Sequence, residues 1–223
     1  MIRAVLFDFY DTLARIGEGV ADSRRRIAEA CAVDLDRFQV QWRDSLAART
    51  IGGLGSLEDE LRSMLRALEI ECREELLREL AEGDRSAWIE GVRLYDDTIP
   101  TLQALRERGF ALGLVSNCTS QTMAVIHAHG LDQYFDARVL SCEVGIAKPD
   151  PGIFLVACER LGVEPASCLF VADGADGELD TAHTLGMVAV LVEHEDQRRA
   201  RVRSNGHDAR IGSLHELLES PYL

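Results

Sequence analysis

Lysine is nearly absent from this chain of 223 residues: of 24 basic residues only Lys148 is a lysine, and the other 23 are arginines. Arg-for-Lys exchange is almost free on a solvated surface, so the one exception is the position to explain. Basic charge is scarce as a whole. Asp and Glu number 38, giving a net charge of −14, and a field of that sign repels nucleic acid. Nucleic acid is therefore not an expected partner, while a small anion met by local positive charge remains possible. No apolar run reaches the about 18 residues needed to span a membrane. The N-terminal MIRAVLFDFY is interrupted by Asp8 and lacks the apolar stretch and cleavage site of a signal peptide. Six cysteines (Cys31, Cys72, Cys118, Cys142, Cys158, Cys168) are scattered without C-x-x-C spacing. They suggest neither zinc ligation nor a disulfide framework, and they fit a reducing, cytoplasmic compartment. G-x-S-x-G and H-E-x-x-H are missing, and the Gly-rich segment Ile51 to Ser56 has no P-loop lysine.

What remains is an ordinary globular balance, 47% hydrophobic and 28% charged. The length fits one domain with a sizeable insertion, or two small domains. Ala4-Val5-Leu6-Phe7 reads as a buried strand ending at Asp8. Residues 22–90 are helical in pattern. Leu57, Leu61, Met64, Leu65 and Leu68 form a one-face stripe behind an N-cap at Ser56, with Asp59 in the first turn. From about residue 98 helix and strand alternate. Strands are expected at 110–115, 137–140, 168–172 and 188–192, with helices at 100–108, 121–129, 151–161, 178–185 and 214–218. That alternation predicts a mostly parallel sheet covered on both faces, with a helical block inserted after its first strand. Half of the net charge falls in residues 56–97 and reads as solvated helical surface. Arg198, Arg199, Arg201 and Arg203 form a small basic patch, also read as solvated surface.

Four segments at predicted strand ends carry chemistry, because ligands of open α/β sheets bind there. Asp8-Phe9-Tyr10-Asp11-Thr12 offers a carboxylate as nucleophile or metal ligand, or as a turn cap. Val115-Ser116-Asn117 offers a hydroxyl and an amide. Ala147-Lys148-Pro149-Asp150-Pro151 sets the single ammonium before a helix start. Ala172-Asp173-Gly174 with Glu178 offers acids for a hard cation.

In that order, D-x-x-x-T, S-N, K-P-D-P and D-G-x-x-x-E, the segments resemble the four motifs of the haloacid dehalogenase (HAD) superfamily, over nearly the whole chain. The resemblance implies an α/β fold: a Rossmann-like parallel-sheet core (1–14 and 95–223) and an inserted α-helical cap (15–94). It is similar to the phosphatase-type members. Asp8 would then be the nucleophile of an aspartyl-phosphate mechanism. Mg²⁺ would be held by Asp8, Asp173 and the Tyr10 backbone carbonyl. Thr12, Ser116 and backbone amides, including that of Asn117, would bind phosphate oxygens. Lys148 would hold nucleophile and phosphoryl group, and Glu178 would order waters or Lys148 behind them.

Tyr10 departs from that pattern. Family phosphatases place an Asp two residues after the nucleophile as general acid and base, which is worth roughly 100- to 10,000-fold. Tyr at this position resembles the true 2-haloacid dehalogenases, which work without a metal. Gln41-Trp42-Arg43 resembles the segment carrying their halide-pocket arginine, making Arg43 a candidate substrate contact. Asp173 points the other way, because a second carboxylate repels the nucleophile and an anionic haloacid unless a cation intervenes. The expectation is a Mg²⁺-dependent phosphatase of a small anionic metabolite. The alternatives are a metal-independent 2-haloacid dehalogenase and a weakly active scaffold that binds a ligand or partner.

Overall fold

The computed structural model describes residues 1–17, 19–194 and 206–223. The arginine patch at 198–203 lies outside the described residues. In chain order the elements are β1 (Ala4–Phe7), β2 (Ala14–Ile16), α1 (Gly19–Ala30), α2 (Leu35–Asp44), α3 (Leu46–Thr50), α4 (Leu57–Ala67) and α5 (Glu74–Gly91). Next come β3 (Val92–Leu94), α6 (Thr98–Glu107), β4 (Ala111–Ser116), α7 (Thr122–Ala128), β5 (Ala137–Leu140) and α8 (Ser141–Val144). The chain continues with α9 (Pro151–Leu161), β6 (Cys168–Ala172), α10 (Glu178–Thr184), β7 (Val188–Val192) and β8 (Ala209–Ile211). The helix expected at 214–218 is a 3-10 helix, Leu214–Glu219.

Six strands form one parallel sheet in the order β5-β4-β1-β6-β7-β8. Every residue of β1 and β6 is buried, as their unbroken apolar sequences predict. Side chains alternate between faces. Val5, Phe7, Leu114 and Val171 pack with Leu102, Leu105, Val125 and Ile126 of α6 and α7. Ala4, Leu6 and Phe170 pack on the opposite face with Ile153, Phe154 and Ala157 of α9 and Leu179 of α10. Helix α9 starts as its sequence suggests: Pro151 sits in the first turn and the Asp150 carboxylate accepts from Gly152 N. Its end at Gly162 needs a left-handed backbone, φ 64°.

Helices α1 to α5 gather around their own apolar cluster, which includes Ile27, Phe38, Trp42, Leu61, Met64, Leu65 and Leu77. The Leu57–Leu68 stripe is buried throughout. Ser56 and Asp59 form a reciprocal capping box at the start of α4. The block joins the sheet through two short antiparallel strands, β2 and β3. These strands and β8 were not anticipated, because three-residue segments carry too little periodicity to read. At the neck Gly17 N donates to Gly91 O (2.9 Å), and a Cβ on Gly17 would sit 2.7 Å from that oxygen. Among the described residues no helix is long and apolar enough to cross a membrane.

Candidate active site

The central strand β1 is flanked by β4 and β6, and the chain runs outward from it in both directions. This is the switch point at which open parallel sheets bind ligands, beyond the carboxyl ends of the strands. Phe7 pairs with Leu114 on one side and Val171 on the other, so the loops after β1, β4 and β6 emerge together. Asp8 N donates to Val171 O (3.0 Å), which carries its carboxylate to the lip of the sheet.

Four of the sequence-predicted residues converge here. Lys148 Nζ lies 2.6 Å from Asp8 Oδ1, and the lysine side chain is 1% exposed. Asp8, Asp173 and Glu178 each offer an oxygen within 4.8 Å of the others. Burial pushes the Asp8 carboxyl up, against the pull of Lys148. Burial lowers Lys148, but the attraction of Asp8 and then Glu178 outweighs it and holds the ammonium above its ordinary range. Asp173 is pushed up to about 7, first by burial and then by the charges of Asp8 and Glu178. Three buried carboxylates thus face one ammonium, an excess of negative charge that a cation would relieve. All the donors are oxygens, the set that suits Mg²⁺.

The surrounding residues brace this group. Asn117 accepts from Lys148 N (2.7 Å) through Oδ1 and donates through Nδ2 to Lys148 O (2.9 Å) and Asp176 Oδ2 (2.8 Å). Its side chain therefore positions the lysine and is not the part that would meet a substrate. Glu178 accepts from Gly174 N (3.0 Å) and Asp176 N (2.7 Å), so its carboxylate shapes the loop after β6. Ser116 is fully buried at the end of β4, and among the described residues its hydroxyl reaches only the Asn117 carbonyl, at 3.5 Å. Thr12 is fully buried, and among the described residues its hydroxyl has no partner, as a group waiting for a ligand would be.

Tyr10 sits differently from a general acid. Its hydroxyl hydrogen-bonds Thr122 Oγ1 (3.0 Å), its ring packs on Phe9 and meets Trp88 of α5 edge-on, and burial pushes its pKa up. A second contact links the helical block to the loop after β4: Gln121 Nε2 donates to Asp84 Oδ2 (2.8 Å). Arg43 is the candidate that the structure leaves on the surface. Phe38 and Trp42 turn inward from α2, and Arg43, one residue on, is exposed. Among the described residues the buried guanidinium is that of Arg49, 4.3 Å over the Trp42 ring and donating to Trp42 O (2.9 Å).

Two bracing residues were not anticipated. Asp176 completes the Asn117 clamp, and an Asp three positions after Asp173 was a readable signal for it. His194 donates from Nε2 to Thr12 O (2.9 Å) while stacked on Tyr95, a contact across most of the chain that no local pattern shows.

The family model for haloacid dehalogenase-like hydrolases matches residues 2–186. The chain belongs to this family. Its members similar to this chain include a glyceraldehyde 3-phosphate phosphatase of Methanopyrus kandleri, 29% identical over 98% of this chain and 97% of the relative. An (S)-2-haloacid dehalogenase of Burkholderia cepacia is 31% identical over 87% of this chain and 84% of its own length. Among solved structures, a HAD phosphatase from Thermococcus onnurineus aligns with a TM-score of 0.68 and 27% identity, covering 98% of this chain and 97% of that one. The protein is thus a HAD-type hydrolase built on a Rossmann-like α/β core.

Proposed function

We propose that this hydrolase is a Mg²⁺-dependent phosphatase of a small phosphorylated metabolite, with Asp8 as its nucleophile. Residues 15–94 act as a cap over a core formed by 1–14 and 95–223. The observation that carries this reading is Asp173, which sets a third buried carboxylate beside Asp8 and Glu178 within 4.8 Å. Such a cluster is costly without a cation and useful with one. Asp8, Asp173 and the Tyr10 carbonyl would hold the Mg²⁺, which screens nucleophile from phosphate and stabilises transition-state charge.

The chain's own residues do the rest. The Asp8 carboxylate attacks phosphorus, and the bond to the leaving oxygen breaks with its electron pair, giving an aspartyl-phosphate. Water then attacks that phosphorus and releases phosphate, restoring Asp8. Lys148, 2.6 Å from Asp8, neutralises charge on nucleophile and phosphoryl oxygens. The unpartnered Thr12 hydroxyl, Ser116 and the Asn117 backbone amide supply donors for those oxygens. The contacts Asp84–Gln121 and Trp88–Tyr10 bring the cap against the loops that carry these groups. A closed cap excludes water from the phosphoryl group.

A screen of small phosphate esters tests this reading. Hydrolysis is expected to fall at least ~100-fold in EDTA and to return with Mg²⁺. A broad screen that stays negative with and without Mg²⁺ would overturn it. One observation favours a second reading: Tyr10 stands where a phosphatase carries its acid. Chloride release from 2-chloropropionate that survives EDTA would establish a metal-independent dehalogenase instead.

Tyr10 also sets an expectation for rate. The phenol is bonded to Thr122 and its pKa is raised by burial, so it neither protonates a leaving group nor activates water well. Tyr10→Asp should raise kcat at least ~10-fold for alkyl phosphates, whose leaving groups need a proton, and little for p-nitrophenyl phosphate. An equal gain on both substrates, or none on either, would show that proton transfer is supplied elsewhere.

A further inference from the structure

The six cysteines, scattered in sequence, are not scattered in space. Cys118 and Cys142 stand two residues beyond the ends of β4 and β5, whose register pairs Ser116 with Leu140. Their sulfurs are 3.6 Å apart, and Cys118 N donates to Ser141 Oγ (2.9 Å), which ties the two turns together. Cys158 on α9 and Cys168 at the start of β6 are buried with their sulfurs 3.7 Å apart. Cys31, just after α1, and Cys72, just before α5, both pack against the apolar cluster of the helical block, and Cys72 is near enough to add to the burial that raises the Cys31 thiol. Every cysteine therefore has one cysteine neighbour, and none is left over. With about ten neighbours per residue, random placement would pair all six only roughly once in several hundred chains.

We propose that these three pairs are disulfide sites, closing as Cys31–Cys72, Cys118–Cys142 and Cys158–Cys168 when the chain meets a disulfide oxidant. All six are free thiols in this structure. Six cysteines allow 15 complete pairings, and this is the one that joins cysteines already neighbouring in the fold. Each closure is a two-electron exchange. One thiolate attacks a sulfur of oxidised glutathione and releases one reduced glutathione. The partner sulfur then attacks the mixed disulfide and releases a second. Two protein thiols are oxidised, one glutathione disulfide is reduced, and the two protons end on the glutathione thiols. In the Cys118–Cys142 pair the attacking group is Cys142, the less buried and so the more accessible of the two. The buried Cys158–Cys168 pair closes during folding or local opening.

The bridges would staple three separate places: the helical block, the turns beyond β4 and β5, and the junction of α9 with β6. Reduced, unfolded protein is refolded in a reduced and oxidised glutathione buffer, quenched with N-ethylmaleimide, digested and mapped by mass spectrometry. The native reduced protein is incubated in parallel, so that poor refolding does not obscure the map. The three named bridges are expected, with no alkylated cysteine. The melting temperature should stand roughly 5 °C or more above that of the dithiothreitol-reduced protein. In the triple variant Cys31→Ser, Cys118→Ser, Cys158→Ser that difference should vanish. Any other dominant pairing, any of the six positions left alkylated, or a dithiothreitol-sensitive melting temperature in the variant overturns the proposal.

Discussion

Replacing Asp8 by Asn is expected to lower kcat at least ~1000-fold on every substrate the enzyme turns over. The amide has the size of the carboxylate but no electron pair basic enough to attack phosphorus, and no later residue can stand in for a covalent intermediate. The change also removes the negative half of the 2.6 Å contact with Lys148. Unpaired buried charges are usually destabilising by about 3–5 kcal/mol. Here Glu178 and Asp176 also act on the ammonium, so the variant should fold with a moderate loss of stability. A thermal melt separates the two effects: a cooperative transition with no turnover is the expected result. Beryllofluoride, which mimics the aspartyl-phosphate, should protect the wild-type protein and not the variant. Turnover within ten-fold of wild type would remove Asp8 from the mechanism. Tight ligand binding without turnover in both proteins would identify a binding scaffold.

Lys148→Arg, conservative in charge, is expected to lower kcat/KM at least ~100-fold, about 2.7 kcal/mol of transition-state stabilisation. The ammonium occupies a slot with almost no exposure, with the Phe170 ring 5.8 Å away and its own backbone clamped on both sides by Asn117. A guanidinium carries more heavy atoms in a fixed plane. It can reach Asp8 only by displacing the loop or its neighbours, which costs roughly 1–3 kcal/mol in a packed site. Near wild-type kinetics in this variant would reduce the single lysine to chance. The expected result would show that shape, and not charge alone, is required at this position.

Much of the candidate site was legible in the sequence. Asp8, Ser116, Lys148 and Asp173 each follow or precede a predicted element at a recognisable spacing. The apolar runs that end at Asp8 and Asp173 announce the strands that carry them. Those features are local: a period, a cap, a run of buried residues. The Ser56–Asp59 box and the Leu57–Leu68 stripe were legible for the same reason.

The tertiary structure decided what local pattern leaves open. Arg43 and Arg49 look alike in sequence, and only the rotation of the helices around Trp42 exposes one and buries the other. That the Asn117 side chain clamps the Lys148 backbone shows only once the loop before α9 is seen folded onto it. The cysteines show the same limit most plainly. Cys118 and Cys142 lie 24 residues apart and Cys158 and Cys168 10 apart, distances with no meaning along the chain. Strand order and register bring the first pair together, and the packing of α9 on the sheet brings the second. Composition and motif order by themselves determined the hydrolase family, the parallel core and the four segments that meet beyond its central strands. Which side chains touch across those segments depends on contacts between distant residues, and these exist only once the sheet and the helices packed on it have formed.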